Sequence, residues 1–183
     1  MFSNVRSFTR SVAVLVYLLA VGFELSAMAA EPLDSAASLR TVYLPLSMQS
    51  GVTWMLRRSE TFREQCQRLS DAPSLIVSVQ VDPTLKTGTY RARTIFRRYN
   101  SGLLLAYVSV GPGGKQTEWI AHEFEHILEV LDGVDLRELA VHGREGVWFS
   151  GPNVIESDRA TRAGRAVLEE TLRPIQLSDK LVE

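Results

Sequence analysis

The chain has 183 residues, 45% of them hydrophobic and 22% charged, with 20 basic against 21 acidic side chains, a balance that suits one globular domain. Near-neutral charge gives no electrostatic case for nucleic acid or for an anionic membrane, both of which need a strong basic excess. A single cysteine excludes an internal disulfide, so stability has to come from the core.

Arg6 and Arg10 precede an apolar run from Val12 to Phe23, and the small residues Ser26-Ala27-Met28-Ala29-Ala30 follow it. This is the pattern of a secretory signal peptide over residues 1–29. The run is 12 residues long, against the roughly 20 needed to cross a bilayer, so no stable membrane span is expected after cleavage. The expected location is periplasmic or secreted, with a mature chain of about 150 residues.

Residues 30–50 mix Pro32, Ser35, Ser38, Pro45 and Ser47 with few periodic apolar positions, which predicts an irregular leader with one short strand near Val42. From Thr53 to Leu69 the apolar positions Met55, Phe62, Cys66 and Leu69 recur at helical intervals, and Ser70-Asp71-Ala72-Pro73 supplies a stop. Cys66 reads as part of that core stripe. Three strands are predicted next, Leu75 to Val81, Tyr90 to Tyr99 and Leu103 to Val110, and their short connections suggest an antiparallel meander. In the middle strand Arg91, Arg93 and Arg97 alternate with packing residues. That face is either simply solvated or part of an edge that aligns an extended peptide.

Gly111-Pro112-Gly113-Gly114-Lys115 lacks the glycine and the hydroxyl residue of a phosphate loop, since Ser109 and Gln116 stand at those places. It reads as the turn into a helix from Thr117 to Leu131. That helix contains His122-Glu123-Phe124-Glu125-His126, an HExxH pattern in a chain with three histidines. Histidines four apart on a helix project from one face and can share a metal ion. Zinc in such a site brings the pKa of bound water towards 7, and Glu123 becomes the candidate general base for peptide hydrolysis. Apolar flanks, Trp119, Ile120, Ile127 and Leu128, predict that the helix is buried.

Beyond Asp132-Gly133 the chain reads as loop from 134 to 152, with a short helix over Leu136 to His142. Ser150-Gly151-Pro152-Asn153 carries helix-start residues and predicts a last helix reaching Leu172, followed by a polar tail at 175–183. The order helix, three strands, helix, helix predicts an α+β domain over residues 51–174, a roughly three-stranded antiparallel sheet packed with three principal helices.

Catalytic zinc takes three protein ligands and a water. Glu129 shares the helical face but lies about 10 Å along the axis from His122, which fits a role beside the site or on the surface. Asp132 would complete a longer pattern that needs a glycine where Glu129 stands. His142 and Glu145 fall in the loop-like segment, where His142 could instead serve a developing oxyanion. Glu156 is the favoured third ligand because it heads the row Ala160, Ala163 and Val167, the face expected to pack on the metal helix, and a carboxylate there needs a partner.

HExxH on one helix followed by a glutamate at the head of a second resembles the gluzincin metallopeptidases, especially the very small ones. More closely, Arg58-Ser59-Glu60-Thr61-Phe62, Ile120-Ala121-His122-Glu123 and Ile155-Glu156-Ser157-Asp158-Arg159-Ala160 resemble exported bacterial HExxH proteins whose function is not assigned. The resemblance runs from about Thr53 to Leu172 and implies a small zincin-like fold. It implies His122, His126 and Glu156 as zinc ligands, Glu123 as base and Asp158 as an orienter. Glu125 departs from the uncharged residue usual there. No counterpart of the family's oxyanion donor is carried over, and Tyr99, Tyr107 and His142 are candidates by chemistry alone. The expected partner is a peptide or protein substrate, with a second protein able to complete so small a site. The competing expectation is an exported binding or structural domain that keeps the scaffold without catalysis.

Overall fold

The computed structural model describes residues 39–86 and 91–174; the expected signal peptide, the leader up to residue 38 and the polar tail lie outside them. The chain enters through a short strand β1 (Val42–Tyr43) and two helices, α1 (Leu46–Arg58) and α2 (Glu60–Asp71). One helix was expected from Thr53 to Leu69, but Ser59 breaks it with an extended backbone. Its buried hydroxyl accepts a hydrogen bond from the Phe62 N–H and donates to Glu170 Oε2. Capping the second helix satisfies an N–H that a continuous helix would have bonded along its own axis. The first helix also begins at Leu46, inside the segment expected to be irregular.

Strands β2 (Leu75–Val81), β3 (Ala92–Arg98) and β4 (Leu104–Val110) follow, with a 3-10 turn at Pro83–Lys86 after β2. They do not form the expected antiparallel meander. The sheet order is β1-β2-β4-β3, with β1 parallel to β2, β2 parallel to β4, and only β3 antiparallel to β4. Composition explains the exchange of places. The sequences LIVSVQV and LLAYVSV can bury most of one face and occupy the centre, whereas β3, with Arg93, Arg97 and Arg98, is suited to an edge.

The sheet presents Leu75, Val77, Val79, Leu104, Ala106, Val108 and Val110 inward, all buried. Against them lie α3 (Gln116–Leu131), whose bounds match the prediction to one residue, and the helices packed on it. Phe62 of α2 and Phe124 of α3 stack with ring centroids 5.6 Å apart at the middle of the core. Cys66 is buried in the same cluster, and burial pushes its thiol up to about 12, so it is a packing residue and a neutral one. The short helix α4 (Leu136–His142) falls where it was expected.

The expected last helix is shorter than predicted. Residues 147–157 form a hairpin of β5 (Val147–Gly151) and β6 (Val154–Ser157), and α5 spans Asp158–Leu172. Pro152 and Asn153, which resembled a helix start, form the hairpin turn, with Asn153 in the left-handed region at φ 60°. The alternation of Val147, Phe149 and Ile155 favours strands on either side. The helix begins only at Ser157, whose hydroxyl accepts from the Ala160 N–H at 3.0 Å. Glu156 is therefore a strand residue just ahead of the helix. The architecture is α+β, and no described helix is long and apolar enough to cross a membrane.

Candidate metal centre

His122 and His126 lie one turn apart on α3, their rings 4.8 Å between centroids and nearly perpendicular. The β5–β6 hairpin brings Glu156 over them. Glu156 Oε2 lies 2.8 Å from His122 Nε2 and 3.8 Å from His126 Nε2. Donor atoms of the three residues all fall within 4.8 Å of one another and can hold a metal ion. The expected third residue is thus in place, although it arrives on a strand and not on the first turn of a helix.

Two features show that these residues fit a cation. His126 Nε2 is buried with no hydrogen-bond partner, a costly arrangement for a polar atom unless something binds it. Its other nitrogen, Nδ1, donates to Glu129 Oε2 at 2.8 Å. A carboxylate holding one ring nitrogen fixes the tautomer and turns the other lone pair towards a metal. Glu129, seven residues from His122, is 3% exposed; it orients a candidate ligand and is not a surface residue.

The protonation pattern of the bare site is consistent with this. Burial alone would raise Glu156, but the hydrogen bond with His122 and the nearness of His126 hold its carboxyl at about 2. Burial alone would lower His126, but the carboxylates of Glu129, Glu156 and Glu123 push it up to about 9. Positive charge is therefore favoured between these carboxylates, whether a proton or a metal ion supplies it.

Glu123 follows His122 on the helix and is buried, with its Oε2 accepting from Thr94 Oγ1 of β3 at 2.6 Å. Burial raises its pKa, opposed by the two histidines and the Thr94 hydroxyl. It opens with His126 and Glu156 on a cleft of about 620 Å³ walled by β3, the α3–α4 connection and β6. Thr94 was not singled out in advance. It lay in the packing half of an alternating strand, and only the sheet order shows that this half faces the HExxH helix.

The unusual Glu125 is 7% exposed and fully engaged. Its Oε2 accepts from Gln65 Nε2 of α2 at 2.6 Å, and its Oε1 from Arg159 Nε of α5 at 2.7 Å. Arg159 also reaches Asp132, which Arg68 clamps from α2. Asp132, considered as a third ligand, is therefore spent on two arginines.

The remaining candidates are not brought to the centre. His142 is exposed, its Nδ1 bonded to the Glu138 carbonyl, and Glu145 sits in an exposed turn at φ 53°. Asp158 lies against Gly146, whose carbonyl accepts from the Asp158 N–H at 2.8 Å. Tyr107 pairs with Ile95 on the outer face of the sheet, and Tyr99, exposed, carries Arg97 over its ring.

Gly164 of α5 was also unforeseen. A Cβ there would come within 2.8 Å of the Glu118 carbonyl and 3.2 Å of His122 Cβ. The missing side chain lets α5 cross α3 beside a candidate ligand. Gly164→Ala is expected to push the helices apart, lowering stability by about 1–3 kcal/mol and weakening metal retention. Denaturant unfolding and metal content of the variant check both effects; an unchanged midpoint would show that the crossing has slack.

Comparison of the chain with protein-family models, curated proteins and solved structures found no match.

Proposed function

We propose that this chain is an exported zinc-dependent peptidase of the small gluzincin-like, zincin-like kind. The observation that carries the reading is the meeting of one Glu156 oxygen with both HExxH histidines, while Glu123 faces the same cleft. Two imidazoles and a glutamate form a ligand set of catalytic zinc that leaves a position open. Bound there, zinc would polarise a substrate carbonyl and acidify water.

The protein's own groups divide the remaining work. Glu123, held by Thr94 in a buried setting that raises its proton affinity, takes a proton from the attacking water. Water oxygen bonds to the peptide carbonyl carbon, the carbon–nitrogen bond breaks, and the proton passes from Glu123 to the leaving nitrogen. Edge strand β3 has a strand neighbour on one side only among the described residues, so its free backbone groups can align an extended peptide along the cleft. Arg93 and Arg97 point to the outer face, where Arg93 pairs with Asp82, so the alignment rests on backbone and not on those arginines.

The mature protein is expected to carry close to one zinc per chain by elemental mass spectrometry, and His122→Ala and Glu156→Ala each to lose it. Wild-type protein that takes up no zinc on refolding with it would defeat the reading. Zinc retained without hydrolysis of any peptide would favour the non-catalytic binding domain.

A further inference from the structure

Two arginines line the cleft without a carboxylate of their own. Arg98 ends β3 and, by alternation, shares the face of Thr94; Arg137 stands in the first turn of α4 on the other wall. Elsewhere the arginines close to carboxylates are used: Arg68 and Arg159 clamp Asp132, Arg159 holds Glu125, and Arg93 holds Asp82. Among the described residues neither Arg98 nor Arg137 makes an ion pair, and Asp135, which also lines the cleft, accepts from the Glu138 N–H at 2.9 Å. The reacting end of the cleft holds the carboxylates of Glu123 and Glu156 with His126 between them.

We infer that the cleft selects peptides with a carboxylate set away from the scissile bond, held by Arg98 and Arg137. This specificity rests on the peptidase reading and names its substrate class. Arg98 is four residue steps along the strand from Thr94, at the base, which is about 13 Å at roughly 3.3 Å per step. An extended peptide beside β3 advances at nearly the same rate, so the carboxylate belongs three to four residues from the scissile bond. An acidic side chain and a free chain terminus supply the same chemistry.

The test is binding of fluorescein-labelled ten-residue alanine–serine peptides to zinc-treated Glu123→Gln protein, read by fluorescence anisotropy. A glutamate or a lysine is placed at each position in turn, with C-termini free or amidated. A glutamate at one favoured position is expected to tighten binding about fivefold over alanine, and lysine there to weaken it. Arg98→Ala and Arg137→Ala are expected to erase the preference, and Arg57→Ala, on exposed α1 surface, to leave it intact. Arginine-dependent tightening of the alanine peptide by a free C-terminus over an amidated one identifies the terminal carboxylate as the ligand group. Equal binding of the glutamate and lysine peptides, a preference that survives both cleft variants, or no binding of any peptide would each overturn the inference. The two readings fail separately. Wild-type cleavage without charge preference sinks only the specificity, whereas an arginine-dependent preference without cleavage sinks only the catalysis.

Discussion

Glu123→Gln is expected to leave zinc content unchanged and to lower kcat for peptide hydrolysis by about 10²–10⁴-fold, the usual contribution of a positioned general base. The substitution keeps the shape of the side chain, and its amide oxygen can still accept from the Thr94 hydroxyl, now 2.6 Å from Glu123 Oε2. What it loses is the ability to take up a proton. Glu123 is not among the three residues that can hold the ion, so metal and chemistry should separate: one zinc per chain in both proteins, turnover in one. The pairing also guards against a trivial explanation, because a variant that unfolded would lose the metal as well. Full activity in Glu123→Gln would remove Glu123 from the mechanism. The milder Thr94→Val should lower kcat less, because it frees the base to turn without abolishing it.

The parts of this site that were legible in the sequence are those encoded by local periodicity. The HExxH helix announces itself through its histidine spacing and apolar flanks, and Leu136 to His142 through a short amphipathic run. Strand order was not legible, because β2, β3 and β4 carry similar β-forming patterns and the choice of neighbours depends on which strands can be buried. The arginines of β3 held that information, but as a charge pattern and not as a hydrogen-bond pattern. At 150–157 the difficulty was ambiguity: glycine, proline and asparagine start helices and also turn hairpins, and only the flanking Trp148, Phe149 and Ile155 separate the two. Glu156 was selected for a helical face that it does not occupy. It lies directly before Ser157, the cap of α5, so the same region of space was reached by a different element.

Glu125 is where sequence and structure bear on each other most. A charged residue inside a buried HExxH helix either weakens the case for burial or demands partners from elsewhere, and here Gln65 and Arg159 supply them from two other helices. Removing one member of such a group is costly because the others stay desolvated. Glu125→Ala is expected to lower unfolding stability by about 2–3 kcal/mol, less than the roughly 3–5 kcal/mol for breaking a fully buried pair, because Arg159 remains 35% exposed and keeps Asp132. The effect should appear as a lower denaturant midpoint at unchanged slope. In a cycle with Arg159→Ala the two losses should not add, since each removes the same bond and leaves the other's partner unsatisfied. Glu125→Gln should cost less, since its carbonyl oxygen still accepts one bond. A loss below about 0.5 kcal/mol for Glu125→Ala, the scale of an ordinary surface change, would mean that Glu125 is only tolerated. The predicted cost would instead make it the tie that holds α2 and α5 against the HExxH helix, from a position outside the three residues that can hold a metal ion.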